Sequence, residues 1–214
     1  MKRGISVVIL IVLLFAGLVQ AKDLRATKLK KFLDRYPWSP LRGHEQEILY
    51  CADKFGLDYR LYIAIAGAES SYGKRFPKSS KNLTGYAVYD DNVGSFNSIW
   101  HNIYETSKLI ATSNYYKKFR KTRDIKDLIF VYKGVPPYDH YYNNMRYALD
   151  QITRVSIVRE LKEQREKLVR LDPASKRLMG KREYVEKMFA WTAVRYDKHT
   201  VRKVSEAGLK FAAK

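Results

Sequence analysis

The residue with the clearest potential for chemistry is Glu69, which ends an unusually apolar stretch from Tyr62 to Ala68. Burying an ionised carboxylate is costly, and the partial negative charge at a helix C-terminus disfavours a second negative charge nearby. Both effects raise the pKa of a carboxyl group and favour its protonated form near neutral pH. The sequence therefore predicts that Glu69 can serve as a general acid, which the cleavage of a sugar–sugar bond requires.

The segment after Glu69 offers polar and aromatic side chains that could contact a substrate. Ser70 and Tyr72 follow at once, and the stretch from Asn82 to Tyr86 lies farther along a long loop punctuated by glycines. A loop this long in a compact domain usually has a function. The simpler interpretation is that Glu69 only ends a helix and pairs with a lysine such as Lys74.

Three segments resemble those of the lysozyme-like superfamily, in particular bacterial lytic transglycosylases and flagellar-type glucosaminidases. Glu69-Ser70-Ser71-Tyr72-Gly73 resembles their Glu-Ser-x-aromatic-Gly segment, and Asn82 to Gly85 resembles the Asn-Leu-x-Gly segment of the glucosaminidases. Phe96-Asn97-Ser98-Ile99 is similar to the aromatic and Ser-Ile element before their next helix. Tyr132-Lys133-Gly134 matches the Tyr-Asn-Ala-Gly segment of the transglycosylases only in part, since it lacks the Asn-Ala pair. The resemblance covers about residues 43–153.

This resemblance implies a site and a substrate. It makes Glu69 the catalytic acid and base, and Tyr132 a neighbour that orients it or stabilises charge. A further tyrosine near the start of a later helix, either Tyr141 or Tyr142, would line the sugar cleft. The implied substrate-binding residues are Ser70, Tyr72, Asn82, Gly85, Tyr86 and Tyr142, and the acids Asp90 and Asp91 are added from their position in the loop. The implied partner is the glycan strand of peptidoglycan, and no metal or organic cofactor is expected because a carboxylic acid supplies the chemistry.

The number of carboxylates separates two mechanisms. A hydrolase normally uses two, about 5 Å apart for retention or about 6.5–9.5 Å apart for inversion. Asp90 and Asp91, the only acids between Glu69 and Glu105, could supply the second one or could simply form a polar turn. By the resemblance, a lytic transglycosylase needs Glu69 alone, which protonates the leaving oxygen and then acts as base while the muramic 6-hydroxyl closes an anhydro ring. We adopt the single-acid mechanism as the working hypothesis.

The hydrophobic spacing predicts a mainly α fold with about eight helices and a small β-hairpin near Tyr86 to Tyr89. With the resemblance, residues 43–155 are expected to form a lysozyme-like helical domain with a hairpin and loop lobe. Residues 22–42 are expected to be basic and irregular, because Pro37 and Pro40 break helices. The predicted helices are 44–55, 59–69, one that Ser95 or Asn97 caps and that runs to about 112, 124–132 with Asp124 at its start, 138–171, 181–194 and 197–211. Residues 156–214 would form a basic helical extension.

The N-terminus and the charge indicate where such a protein works. Residues 1–21 are typical of a secretory signal peptide cleaved after Ala21, which predicts a secreted or periplasmic protein; an uncleaved membrane anchor is the alternative. The formal net charge is +19, and Cys51 is the only cysteine, so no intrachain disulfide can form. A positive charge attracts polyanions. For an exported chain these are anionic cell-wall polymers or a membrane surface, met through the basic C-terminal helices, rather than nucleic acid.

A second function class fits the same features. A protein could keep a lysozyme-like scaffold and use its charge and aromatic side chains only to bind glycan or another polyanion. The two hypotheses separate at Glu69: a binding protein would tolerate the change Glu69→Gln, whereas an enzyme would lose its proton donor.

Overall fold

The computed structural model describes residues 23–86 and 94–171 of the chain. This part is mainly helical, as the sequence predicts, and contains no β-strand. The helices of the described residues are α1 (Leu24–Leu33), α2 (Glu45–Phe55), α3 (Leu61–Ser70), α4 (Ile99–Thr112), α5 (Lys117–Thr122), α6 (Ile125–Tyr132), α7 (Asp139–Arg154) and α8 (Val158–Leu171), with a 3-10 turn at Asn114–Tyr116 between α4 and α5.

Residues 25–157 form one compact unit. Its centre is α3, which is apolar on nearly all sides and buries every residue from Leu61 to Ala66. Helix α7 packs along α3, and α2 packs against α4. Because burial of apolar surface is the main favourable term in folding, these contacts fix the end of α3, and with it Glu69, against the start of α7.

Local signals set several helix ends as predicted. Gly56 ends α2 in the left-handed conformation (φ 63°), which glycine adopts without steric penalty. The side chain of Asp124 accepts a hydrogen bond from the backbone N–H of Lys126 and so caps α6. Ser98 caps α4 by accepting from the N–H of His101, whereas the sequence predicts this cap at Ser95 or Asn97.

The prediction that residues 22–42 are irregular is wrong, because α1 occupies Leu24–Leu33. Although α1 is rich in lysine and arginine, one face of it is apolar, and Leu29, Phe32 and Leu33 on that face are fully buried. Pro37 and Pro40 come after this helix and do not interrupt it. Pro40 lies so close to Gly73 that a Cβ on that glycine would stand 2.5 Å from the proline Cδ.

The predicted long helix from 138 to 171 is also wrong in part, since α7 ends at Arg154 and α8 begins only at Val158. Val155 and Ile157 turn into the core, and the Lys31 ammonium donates to the Ser156 carbonyl at 2.9 Å. No glycine or proline lies at this break. The burial of two β-branched residues, Val155 and Ile157, and the lysine contact account for it instead. The short helix α5 was not predicted either.

Helix α8 belongs to a second unit. Its exposed surface carries pairs of opposite charge one turn apart, Arg159 with Glu163 and Lys162 with Glu166. The predicted signal peptide, the hairpin residues 87–89 and the helices 181–194 and 197–211 lie outside the described residues. Within the described ranges, no helix has the length and apolar character to cross a membrane.

Candidate active site

Glu69 lies one residue before the end of α3, at the edge of the core. Its side chain keeps an exposed surface, although protein atoms crowd the carboxyl group itself. This desolvation raises the pKa of Glu69 above its usual value, while the hydrogen bond from Tyr141 and the charge of Lys133 lower it by less. Glu69 is therefore an exposed residue whose carboxyl group is biased toward its protonated form relative to an ordinary glutamate.

Tyr141, near the start of α7, contacts Glu69 directly. Its hydroxyl donates to Oε1 of Glu69 at 2.8 Å, and its side chain is buried. Burial, followed by the charge of Glu69, raises the pKa of Tyr141, so the phenol stays neutral and remains a donor. Tyr142 does not share this contact and instead places its ring 5.5 Å from the Lys126 ammonium. Of the two tyrosines that the sequence left open, Tyr141 is the one at Glu69.

Gly85 brings the backbone of the loop against the other carboxyl oxygen. A Cβ at this position would stand 2.8 Å from Oε2 of Glu69, and the residue has φ +64°. A contact below 3.0 Å is not available to a real Cβ, and a positive φ is unfavourable for other residues. Only glycine therefore leaves the space beside Oε2 open.

Tyr132, the last residue of α6, holds the same stretch of loop. Its hydroxyl donates to the carbonyl of Thr84 at 2.8 Å. The pKa of Tyr132 is raised, chiefly by burial and then by the nearby charge of Glu69. Tyr132 thus lies within the electrostatic reach of Glu69 and stays a neutral donor, but its hydroxyl donates to the loop rather than to the carboxylate.

A buried amide that sequence reasoning missed organises this loop from beneath. Asn102 on α4 is fully buried, and its Oδ1 accepts from the Tyr62 hydroxyl at 2.7 Å and from the Leu83 backbone N–H at 3.1 Å. Its Nδ2 donates to the hydroxyls of Thr84 at 3.1 Å and Thr106 at 3.3 Å. In the sequence, this network could have been recognised from the spacing of Asn102 and Thr106, two polar residues one turn apart beside Ile103 and Ile110.

Asn82 fixes the two ends of the loop around the undescribed residues 87–93. Its Nδ2 donates to the carbonyls of Tyr86 at 2.8 Å and Gly94 at 3.0 Å, and its Oδ1 accepts from the Tyr86 N–H at 3.1 Å. The side chain is buried, so its polar atoms serve the loop. Tyr86 remains half-buried, with its ring edge-on to Phe96 at 5.5 Å between centroids.

Ser70 and Tyr72, both expected to bind substrate, lie inside the protein. The Ser70 hydroxyl donates to the Ala66 carbonyl at 2.9 Å and accepts from the Gly73 N–H at 3.0 Å. The Tyr72 ring stacks on that of Tyr36, with 4.2 Å between centroids. Both side chains shape the turn after α3 and have almost no surface to present to a ligand.

The remaining acidic candidates, Asp90 and Asp91, lie outside the described residues. Of the described residues, the charged group that acts on the pKa of Glu69 is Lys133, and no carboxylate does so. Lys74, a possible partner of Glu69, instead places its ammonium 5.0 Å from the Trp38 ring centroid. No three His, Cys, Asp or Glu side chains of residues 23–86 and 94–171 cluster as a metal site would require.

Comparison of the chain with protein-family models, with curated proteins and with solved structures finds no match.

Proposed function

We propose that this protein is an exported enzyme that cleaves β-1,4 bonds in the glycan strand of peptidoglycan, with Glu69 as general acid and then base. The observation that carries the proposal is the state of Glu69: an exposed residue whose carboxyl group has a raised pKa and accepts a hydrogen bond from Tyr141 through one oxygen. A general acid needs a proton at working pH and an open path to the leaving oxygen. The raised pKa of Glu69 favours the first condition, and the exposure of the residue favours the second.

The hydrogen bonds indicate which oxygen carries the proton. Oε1 already accepts from Tyr141, so the proton belongs on Oε2. The space beside Oε2 is the space that Gly85 leaves free. In the proposed reaction, the Oε2–H protonates the glycosidic oxygen as the bond between that oxygen and the sugar C1 breaks. Tyr141 then stabilises the carboxylate that remains, because hydrogen bonds to a charged acceptor are the stronger ones.

The second step returns the proton. The Glu69 carboxylate takes a proton from the 6-hydroxyl of the muramic sugar while that oxygen forms a bond to C1, which closes a 1,6-anhydro ring. This step needs no second carboxylate.

A lysozyme-like scaffold for residues 43–155 is part of the proposal. Its support is the apolar helix α3 that ends at the acid, the loop that returns over it at Gly85, and the later helix α7 that brings Tyr141 back. The formal charge of +19 supports an anionic wall as the surroundings, since a cationic protein is attracted to polyanions. The signal-like residues 1–21 support export.

Product analysis tests the reaction. Purified peptidoglycan is digested with the purified protein, and the products are resolved by mass spectrometry. Anhydro-muropeptides are expected. Reducing muropeptides without anhydro sugar would overturn the single-acid mechanism and direct attention to Asp90 and Asp91. Intact peptidoglycan that still binds the protein would favour the binding-protein alternative.

A further inference from the structure

Four aromatic rings line the outer surface where α2 and α4 pack together. The ring centroids of Tyr50 and Trp100 are 5.7 Å apart, those of Trp100 and Tyr104 are 5.7 Å apart, and those of Tyr104 and Phe55 are 5.4 Å apart. Tyr50 is 52% exposed, and the other three are partly exposed. We call these four residues the aromatic strip. An exposed apolar patch often marks a binding site, and these four rings form one contiguous, partly exposed patch.

The aromatic strip lies on a different side of α4 from Glu69. Asn102 and Thr106 support the loop over Glu69, and each comes two residues after a member of the strip, Trp100 or Tyr104. Two residues correspond to about 200° of rotation around a helix with 3.6 residues per turn. The strip and the Glu69 loop therefore occupy opposite faces of α4, and the strip is a separate surface.

Lys54 fixes the polar edge of the strip. Its ammonium donates to the hydroxyl oxygens of Tyr50 at 3.3 Å and Tyr104 at 3.1 Å, and lies 4.8 Å from the Tyr104 ring centroid. Because each hydroxyl accepts from the lysine, its own proton remains available for another acceptor. One N–H of the ammonium is left as well, since an ammonium group has three.

Trp100 adds a further donor. Its indole N–H finds no acceptor among residues 23–86 and 94–171, whereas the indole N–H of Trp38 donates to the Ser71 carbonyl at 3.2 Å. The strip thus combines aromatic faces with an edge made of donors: two phenol hydroxyls, one indole N–H and one ammonium. A matching ligand would present flat apolar faces and acceptor oxygens.

The charge around the strip selects among ligands of that kind. A nucleic acid carries a phosphate at every residue and is bound by several cations along its backbone. Among the described residues, Lys54 is the cation recorded against the rings of the strip. The nearby Lys108 on α4 is paired with Glu105, and Asp53 on α2 is paired with Arg25, so the surrounding charges are mixed in sign. Pyranose rings with acetamido carbonyls and occasional carboxylates fit better, since their C–H faces stack on aromatic rings and their oxygens accept hydrogen bonds.

We propose that the aromatic strip is a non-catalytic binding surface for a glycan strand of N-acetylated, carboxylate-bearing sugars. The inference rests on the proposed function in its choice of ligand. A second contact with the same polymer raises the local concentration of cleavable bonds near Glu69. The strip should therefore matter for the insoluble polymer and much less for fragments too short to reach both surfaces.

Binding to purified peptidoglycan tests the proposal. Co-sedimentation is measured in the Glu69→Gln background, which prevents cleavage, with Tyr50→Ala or Trp100→Ala added. Loss of one stacked ring with its donor should weaken binding about 3- to 10-fold. Tyr115→Ala is the matched control, because Tyr115 is 81% exposed and lies outside the strip. Because the Tyr50 side chain is half-exposed, Tyr50→Ala is expected to leave the fold intact. It therefore serves as the test variant if Trp100→Ala is unstable.

Three results would overturn the proposal: no binding to peptidoglycan before the strip is changed, unchanged binding in both strip variants, or an equal loss in Tyr115→Ala. Displacement of the protein from peptidoglycan by single-stranded DNA, with the same dependence on the strip, would overturn the choice of ligand. This assay measures binding and needs no turnover. If binding depends on the strip but the unmodified protein cleaves nothing, the proposed enzymatic function is refuted and the proposed binding surface is not. Cleavage with strip-independent binding would refute the strip alone.

Discussion

The hydroxyl of Tyr141 donates a 2.8 Å hydrogen bond to Oε1 of Glu69, although 72 positions separate the two residues in the chain. The packing of α7 along α3 creates this contact. It leaves Oε2 as the oxygen that faces the space beside Gly85. The two carboxyl oxygens of Glu69 therefore have different surroundings: Oε1 accepts a hydrogen bond from Tyr141, and Oε2 lies beside Gly85.

Removal of the Tyr141 hydroxyl should change the titration of Glu69. The hydrogen bond lowers the pKa of Glu69, so Tyr141→Phe should raise that pKa. Since the active acid is the protonated form, the alkaline limb of the pH profile of kcat/KM should move to higher pH. The maximum should fall about 10-fold, because the bond that stabilises the carboxylate is lost. The adjacent variant Tyr142→Phe should leave the limb in place, and an unshifted limb in Tyr141→Phe would contradict the assigned contact.

Gly85→Ala should block the open side of the carboxyl group. Its Cβ would stand 2.8 Å from Oε2, so the loop must move or the proton donor must turn away. Activity should fall at least about 100-fold, since a misplacement near 1 Å costs that much. Gly56→Ala is the control: its φ of +63° carries the same backbone strain, but no atom lies within 4 Å of the added Cβ. Equal activity losses in the two variants would show that strain, not obstruction, is responsible.

Asn102→Ala should destabilise the protein by about 2–4 kcal/mol, because it leaves the Leu83 N–H and the Tyr62 hydroxyl buried without their acceptor. Urea unfolding followed by circular dichroism measures the change. The exposed Asn97→Ala should stay within about 0.5 kcal/mol of the unmodified protein. A destabilisation of Asn102→Ala no larger than that would mean that the network does not hold the loop.

Glu69→Gln should be more stable than the unmodified protein, and increasingly so as the pH rises. Because the pKa of Glu69 is raised in the folded state, the unfolded chain releases this proton at lower pH than the folded protein does. Between the two pKa values the stability of the unmodified protein falls with rising pH, and glutamine removes that loss. Thermal unfolding from pH 4 to pH 8 measures the difference, which should be smallest at the acid end. A constant difference would contradict the raised pKa.

Part of this site could be predicted because its signals are local. The apolar run from Tyr62 to Ala68 predicts a buried helix, and a carboxylate at its end predicts a perturbed acid, as Glu69 is. Gly56 and Asp124 mark helix ends through their own backbone and side-chain chemistry. In each case the deciding interaction lies within a few residues of the signal.

The features that sequence reasoning missed depend on distant partners. Asn102 becomes a loop support only when α4 brings it under Leu83. The choice of Tyr141 over Tyr142 depends on which face of α7 packs on α3, and two adjacent tyrosines offer no local difference. The sequence predicts that Ser70 contacts substrate, yet its hydroxyl forms hydrogen bonds within the turn that follows α3.

The most direct test of the account compares the release of muropeptides from purified peptidoglycan by the unmodified protein and by Glu69→Gln, with binding to the same material measured in parallel. Loss of a general acid costs about 10²–10⁴-fold in rate. We predict that Glu69→Gln binds as the unmodified protein does but releases products at least about 100-fold more slowly, in keeping with that range. Release within a few-fold of the unmodified rate would contradict the assignment of Glu69 as the proton donor.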